Sequence, residues 1–495
     1  MAPRSISKSR FIAGLQCEKR LWLEIYKREL ADEIDEQTKA IFDQGHEIGV
    51  LAQSLYPGGV LIDEDYKQIP KAILSTVKAV NAGAETLYEA TALHDRFLAR
   101  ADILHRIKEG TNEWDMIEVK GSTSVKDVYL YDLAIQKHIF EWAGYRIRKT
   151  ILCHINNDYV RDGDIEVEKL FTQSDETAAV NLLLKNLSLL TEKMLRIADS
   201  TKEPKVPIGK HCTTPYECPF MGHCWKDVPE DSIFNLAGRK DFVWELYEKG
   251  FKKMVHIPNT IRLSVKQRRQ IDVARTGKPY WRIAGIQGFL DKLEYPLSFL
   301  DFETVMLAIP PYDGTWPFGS IPTQFSLHVI EKPGDAPQHF EFLGDGFTDP
   351  RQPFMAALVK AMPRKGSIVI YSQYEATILK QTVEFLPKYK SQVIEFIQRF
   401  MDLLVPFRNQ DVIYPAFNGS ASLKAVLPVL VPDMSYDDLE IGEGGAAVQA
   451  YVQLMDPEVQ AAIKKKIRKD LLDYCGQDTM AMVKLVEVLK SKVKN

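Results

Sequence analysis

Residues 297–303 read Leu-Ser-Phe-Leu-Asp-Phe-Glu, an apolar run that ends in Asp301-x-Glu303. In an extended strand alternate side chains share a face, so both carboxylates point the same way. Two like charges on one face are costly unless a cation neutralises them. The chain must therefore bury this strand in a sheet and bring its acidic end to a place where that charge is met. Two later segments carry matching chemistry. IVIYSQYEATIL reads as a buried strand running into a helix, with Glu375 at the junction, and LLDYCGQDTMAM is helical with Tyr474 and Asp478 four residues apart, hence on one helix face. Taken singly, each acid reads as a surface carboxylate or a helix cap. As an ordered set at the ends of buried strands and on a helix, they point to a shared centre.

These residues resemble the DEDDy exonucleases. LDFET (300–304) is similar to the first motif, Tyr371-Ser-Gln-Tyr374-Glu375 to the second and Tyr474-x3-Asp478 to the third. The resemblance implies a ribonuclease H-like fold for residues 291–495 and metal ligation by Asp301, Glu303, Glu375 and Asp478. It further implies two Mg²⁺ or Mn²⁺ ions about 4 Å apart, with Tyr474 orienting the water that releases nucleotides from a 3′ end. Ser372 stands where the family often has asparagine, and Glu375 where it usually has aspartate. Asp402 and the helix start ASLKAVLPVL follow the family's course, with Asp402 as an accessory or structural residue.

The first 80 residues have helical periodicity, and TLYEATAL, RFLARADILHRI and EWDMIEVKG then read as adjacent strands. Asp102 lies in the second of these, and Glu118-x-Lys120 ends the third. Alternation puts Glu118 and Lys120 on one face, where a carboxylate can hold a cation beside an ammonium that meets water or phosphate. The D…ExK order resembles the PD-(D/E)XK nucleases of the RecB-like type. That resemblance implies catalytic Asp102, Glu118, Lys120 and Gln136, with His46, Asp102 and Glu118 as metal ligands. Phe140 replaces the tyrosine of the family's glutamine motif, and Glu89 reads as a strand-surface glutamate. Cys17 and the late series Cys212-x5-Cys218-x5-Cys224 flank these elements. They resemble the cysteine frame of iron-sulfur RecB-like nucleases, of the AddB and CRISPR-adaptation type. The implied cofactor is a [4Fe–4S] cluster, with Zn²⁺, including a mixed site with His211 or His223, as the alternative. Cys153 and Cys475 read as buried spectators.

The 495 residues correspond to about three domains at roughly 150 residues each. The expected division is a multidomain α/β chain: a RecB-like nuclease domain at 1–230, a basic helical connector at 231–290 similar to helix-hairpin-helix modules, and the DEDDy domain at 291–495. A net charge of −4 gives no global basic field. Positive charge gathers instead in the connector, at Lys252, Lys253, Arg262, Lys266, Arg268, Arg269 and Arg275. The apolar pattern lacks a membrane span and a signal peptide, so a cytoplasmic location is expected. The combined expectation is a metal-dependent nuclease acting on single-stranded nucleic acid in DNA repair, processing or defence. DNA is favoured over RNA, and a helicase partner is left open. RNA processing and a nucleic-acid-binding scaffold with one or both sites inactive are the alternatives.

Overall fold

A computed structural model describes residues 5–65, 67–436 and 439–494. The chain is a multidomain α/β protein with mixed sheets, and its contacts divide it into two compact units. The first comprises Met1–Asp227 with Leu307–Phe318, the second Val228–Met306 with Gly319–Asn495.

The first unit is built on strands β1 (Ile6–Ser7), β2 (Val60–Leu61), β3 (Thr86–His94), β4 (Phe97–Arg106), β5 (Glu113–Lys120), β6 (Arg146–Ile155) and β7 (Phe171–Asp175). The sheet order is β2-β3-β4-β5-β6-β7, with β1 pairing in parallel with β4. The expected strands at 86–93, 96–107 and 113–121 are the central antiparallel run. The helix Asp127–Trp142 then crosses to β6, which is parallel to β5. Trp114 and Met116 of β5 face a core shared with Ile135, Ile139 and Phe140 of that helix. Ile117 faces the other side, against Ile48 and Ala52 of the helix Glu36–Gln53. Glu118 and Lys120 share the face of Trp114 and Met116, and so lie under the helix that carries Gln136.

In the second unit, β8 (Tyr280–Trp281) pairs with β14 (Val412–Ile413), and the main sheet holds β9 (Leu297–Val305), β10 (Ile321–Ile330), β11 (Gln338–Leu343), β12 (Ile368–Ile370) and β13 (Phe400–Asp402). Its order is β11-β10-β9-β12-β13. The first three strands form an antiparallel meander, whereas β12 runs parallel to β9 and to β13. The even positions of β9, Leu300 and Phe302, pack on Phe354 and Leu358 of the helix Arg351–Ala361 and on Ile378 and Leu379 of the helix Tyr374–Phe385. The odd positions Leu297 and Phe299 pack instead against Met482, Leu485 and Leu489 of the long helix Ala461–Lys494. The 231–290 segment packs within this unit around Ile233, Val243, Leu246, Met254, Ile257 and Ile271.

Gly366 turns the chain into β12 with φ 85°, and a Cβ there would lie 2.1 Å from the carbonyl oxygen of Pro296. Because the obstacle is backbone beside the start of β9, neither strand can yield cheaply. Gly366→Ala is expected to destabilise this unit by about 2 kcal/mol, lowering its thermal midpoint by roughly 4–8 °C in calorimetry.

Candidate metal centre

Asp301 and Glu303 occupy the odd face of β9, opposite Ser326 and Gln324 of β10. The same face receives the helix Ala461–Lys494, whose Tyr474 and Asp478 are one turn apart. Three buried polar groups of β10 fix the helix in place. Gln324 Nε2 donates to the Leu471 carbonyl at 2.8 Å, while Ser326 Oγ and His328 Nδ1 lie 2.6 and 2.8 Å from Thr479 Oγ1. One ligand oxygen each from Asp301, Glu303 and Asp478 consequently falls within 4.8 Å of the others, a grouping able to chelate a metal ion. Glu375 stands in the first turn of the helix Tyr374–Phe385, just after Ser372, whose φ of 122° lies in the region that favours glycine. Ser372 Oγ accepts from the Tyr374 amide, the first of that helix, at 3.2 Å. The Glu375 side chain is buried, and its Oε2 has no hydrogen-bond partner.

The electrostatics follow from this crowding. Burial, then the charges of Asp478, Glu303 and Glu375, pushes the Asp301 carboxyl far above the usual carboxylate range. Burial and Asp478 raise Glu303 to about 8, burial and Asp402 raise Glu375 to about 7, and burial raises Asp478 to about 6. A divalent cation held by Asp301, Glu303 and Asp478 would relieve their mutual repulsion, and this all-oxygen set fits a hard ion; Glu375 lies outside the group that converges within 4.8 Å and adds a buried oxygen with no partner.

Several neighbours had no sequence signal. Tyr436 donates its hydroxyl hydrogen bond to Asp478 Oδ1, and Tyr474 faces the same carboxylate. Lys424 lies 5.5 and 5.3 Å from the ring centroids of Tyr436 and Tyr474, and its charge draws Glu303 and Asp478 downward. Cys475, expected as a spectator, is buried with its Sγ 3.5 Å from Asp301 Oδ2. Asp402 is structural: it accepts from the Leu404 amide at 3.0 Å and pairs with Arg408 at 3.3 Å.

In the first unit, Asp102, Glu118, Lys120 and Gln136 come together. Gln136 Nε2 donates to Glu118 Oε2 at 2.6 Å, Lys120 Nζ to Glu118 Oε1 at 2.6 Å and to Asp132 Oδ2 at 2.7 Å, and Asp102 accepts from the Val119 amide at 2.7 Å. Lys8, which the sequence reading missed, donates to both Glu118 oxygens at 2.8 and 3.0 Å. Burial alone would raise the Glu118 carboxyl, but Lys120 and Lys8 hold it well below the usual range. Burial and the Glu118 charge push Asp102 up to about 7. Asp132 was also missed, although its i,i+4 relation to Gln136 is a legible signal. Glu89 takes a φ of 59° opposite Asp102 in the hairpin, and burial raises its carboxyl. His46 is exposed on the helix Glu36–Gln53 and is not among the converging ligand atoms.

The cysteine-ligated centre expected from spacing is corrected by the structure. Among the described residues, the ligand atoms that converge within metal-binding distance are carboxylates, and the sulfurs of Cys17, Cys212, Cys218 and Cys224 form no such group. Neither a [4Fe–4S] cluster nor Zn²⁺ is therefore supported at these positions. All four are free thiols on the wall of one narrow cavity. Burial pushes the Cys17 and Cys224 thiols up and that of Cys218 to about 11.

The basic connector is also less available than its composition suggests. Lys266 donates to the Arg408 carbonyl at 2.7 Å, Arg269 to that of Gln410 at 3.1 Å, and Arg275 to Asn259 at 3.0 Å. Trp281 packs edge-on against Tyr414. Among the described residues, no helix is long and apolar enough to cross a membrane.

Residues 298–422 match the family profile described as Domain of unknown function (DUF2779), a stretch that begins on β9 and ends at the cap of the helix bearing Lys424. The chain is 24% identical over 231 residues to the uncharacterized protein UU173 of Ureaplasma parvum serovar 3, covering 41% of this chain and 33% of that protein. It is 23% identical over 301 residues to the uncharacterized protein MG366 homolog of Mycoplasma pneumoniae, covering 55% of this chain and 43% of that one. The chain thus matches less than half the length of either relative.

Glu303, Glu375 and Asp478 have folded-state pKa values above those of the unfolded chain, so the metal-free protein carries their protons to higher pH than the unfolded chain does. Their contribution to stability is full below about pH 4 and is lost as pH rises through 6 to 8. Between pH 6 and 8.5, the thermal midpoint in chelator is expected to fall, while Mn²⁺ should raise it most at the alkaline end, with proton release on binding. Scanning fluorimetry with and without Mn²⁺, and calorimetric titration in buffers of different ionisation enthalpy, check both.

Proposed function

We propose that the chain is a divalent-metal-dependent nuclease whose principal centre is formed by Asp301, Glu303, Glu375 and Asp478. The convergence of three carboxylate ligand atoms within 4.8 Å, beside two tyrosines and a lysine, carries this reading. The β11-β10-β9-β12-β13 order, with acids on the central strand and on a helix across its face, is compatible with a ribonuclease H-like DEDDy exonuclease. Mg²⁺ or Mn²⁺ held by these acids would stabilise charge on the attacking and leaving oxygens of a phosphodiester. The protein's own groups have distinct tasks. Tyr436 and Tyr474 both meet the Asp478 carboxylate, and from that position the Tyr474 hydroxyl would align a water with a 3′-terminal phosphodiester. Lys424 places positive charge where a substrate phosphate would enter.

The first unit is read as a second, RecB-like PD-(D/E)XK site. Asp102 and Glu118 would hold its ion, Lys120 would meet the phosphate, and Gln136 fixes the Glu118 oxygen. The substrate proposed is a single strand, DNA in preference to RNA.

In a digestion assay with 5′-labelled single strands and Mn²⁺, Asp301→Asn combined with Glu303→Gln should slow 3′-end shortening by at least about a hundredfold, while Lys120→Ala leaves it unchanged. The double variant should also melt at or above the wild-type temperature at pH 8 in chelator, because it removes buried repulsion, which separates lost chemistry from lost fold. Equal shortening by wild type and the double variant contradicts the assignment. Parallel DNA and RNA strands report the preferred polymer.

A further inference from the structure

The N-terminal site already contains a cation. Lys8 opens the helix Lys8–Gln16, capped by Ser7 Oγ, which accepts from the Arg10 amide at 3.3 Å. The pairing of Ile6 with Phe97 and of Ser7 with Leu98 pins that helix start to β4, the strand that carries Asp102. Its ammonium lies 2.8 and 3.0 Å from the two Glu118 oxygens and 3.9 Å from Asp102 Oδ1. It therefore bridges the two carboxylates that a divalent ion at this site would have to bridge. Lys120 shares Glu118 Oε1 with Lys8, at 2.6 Å, but is tied back to Asp132 Oδ2 at 2.7 Å, whereas the ammonium that also pairs with Asp102 is that of Lys8. Two further oxygens, Asp132 Oδ1 and Gln136 Oε1, are buried without a hydrogen-bond partner. Both are acceptors, so the site has unmet capacity for positive charge or donors even with two lysines present.

We propose that Lys8 is the internal occupant of a divalent-cation position between Asp102 and Glu118, and that its displacement sets the metal affinity of the N-terminal site. An incoming ion must break the charge-assisted bonds from Lys8 to Glu118 before it can bind, and the displaced ammonium then stays at the site's edge, beside any phosphate the ion attracts. This rests on the reading of the first unit as a metal-dependent site, and it assigns a task to a residue that neither the D…ExK spacing nor the glutamine motif contains.

The test uses the full-length chain with Asp301→Asn and Glu303→Gln, so that Mn²⁺ uptake reports the N-terminal site. Lys8→Met in that background is expected to bind Mn²⁺ about tenfold more tightly in calorimetric titration, the equivalent of one charge-assisted hydrogen bond that no longer needs breaking. Unchanged or weaker binding overturns the inference and leaves the metal site standing. No Mn²⁺ binding in either chain overturns both, without touching the C-terminal centre. A second readout does not depend on the Lys8 variant folding. In the background chain, reductive methylation followed by mass spectrometry should find Lys8 protected in chelator and labelled when Mn²⁺ is added, with the exposed Lys27 labelled equally in both. Metal-independent labelling of Lys8 overturns the proposal.

Discussion

One face of β9 meets one helix, and the organisation of the second unit follows from that contact. Leu297 and Phe299 bury against Met482, Leu485 and Leu489, and two residues farther along the same face the strand presents Asp301 and Glu303 to Tyr474 and Asp478. Apolar burial in one half holds like charges together in the other, and Gln324, Ser326 and His328 fix the register between the halves. The repulsion is not removed by this packing; it is displaced into raised carboxyl pKa values, and either protons or a cation can relieve it. A cation does so without the loss of charge that protonation entails, which is why the cluster reads as a metal centre and not as a buried proton store.

The two acidic sites differ in how much of this relief the protein supplies itself. Asp102, Glu118 and Asp132 face Lys8 and Lys120, so the N-terminal cluster is close to balanced and Glu118 stays ionised. Asp301, Glu303, Glu375 and Asp478 have Lys424 nearby as a weaker counter-charge, and all four carboxyls are raised. The demand for an external cation is thus greater at the C-terminal centre, where Asp301, Glu303 and Asp478 converge at chelating distance.

Much of this was legible in the sequence where the signal is local. Alternation placed Asp301 with Glu303 and Glu118 with Lys120, and helical spacing placed Tyr474 with Asp478. What sequence reasoning missed is long-range. Lys8 reaches Glu118 across 110 positions, Tyr436 arrives on a segment whose composition gives no hint of the acid it faces, and the helix start that carries Lys424 was noted for its course but not for this lysine. The cysteine spacing misled for a related reason: the fold brings Cys17 and the late series to one cavity wall, but ligation needs the sulfur atoms themselves to converge. The connector's arginines failed differently, since a basic run does not reveal that its side chains brace backbone carbonyls.

The central claim is that hard divalent ions are held by the β9 carboxylates. Anomalous diffraction at the manganese edge, from crystals of the full chain soaked in Mn²⁺, tests it most directly. The account predicts anomalous density coordinated by Asp301, Glu303 and Asp478. Mn²⁺ density confined to other places, with these three carboxylates bare, would contradict it.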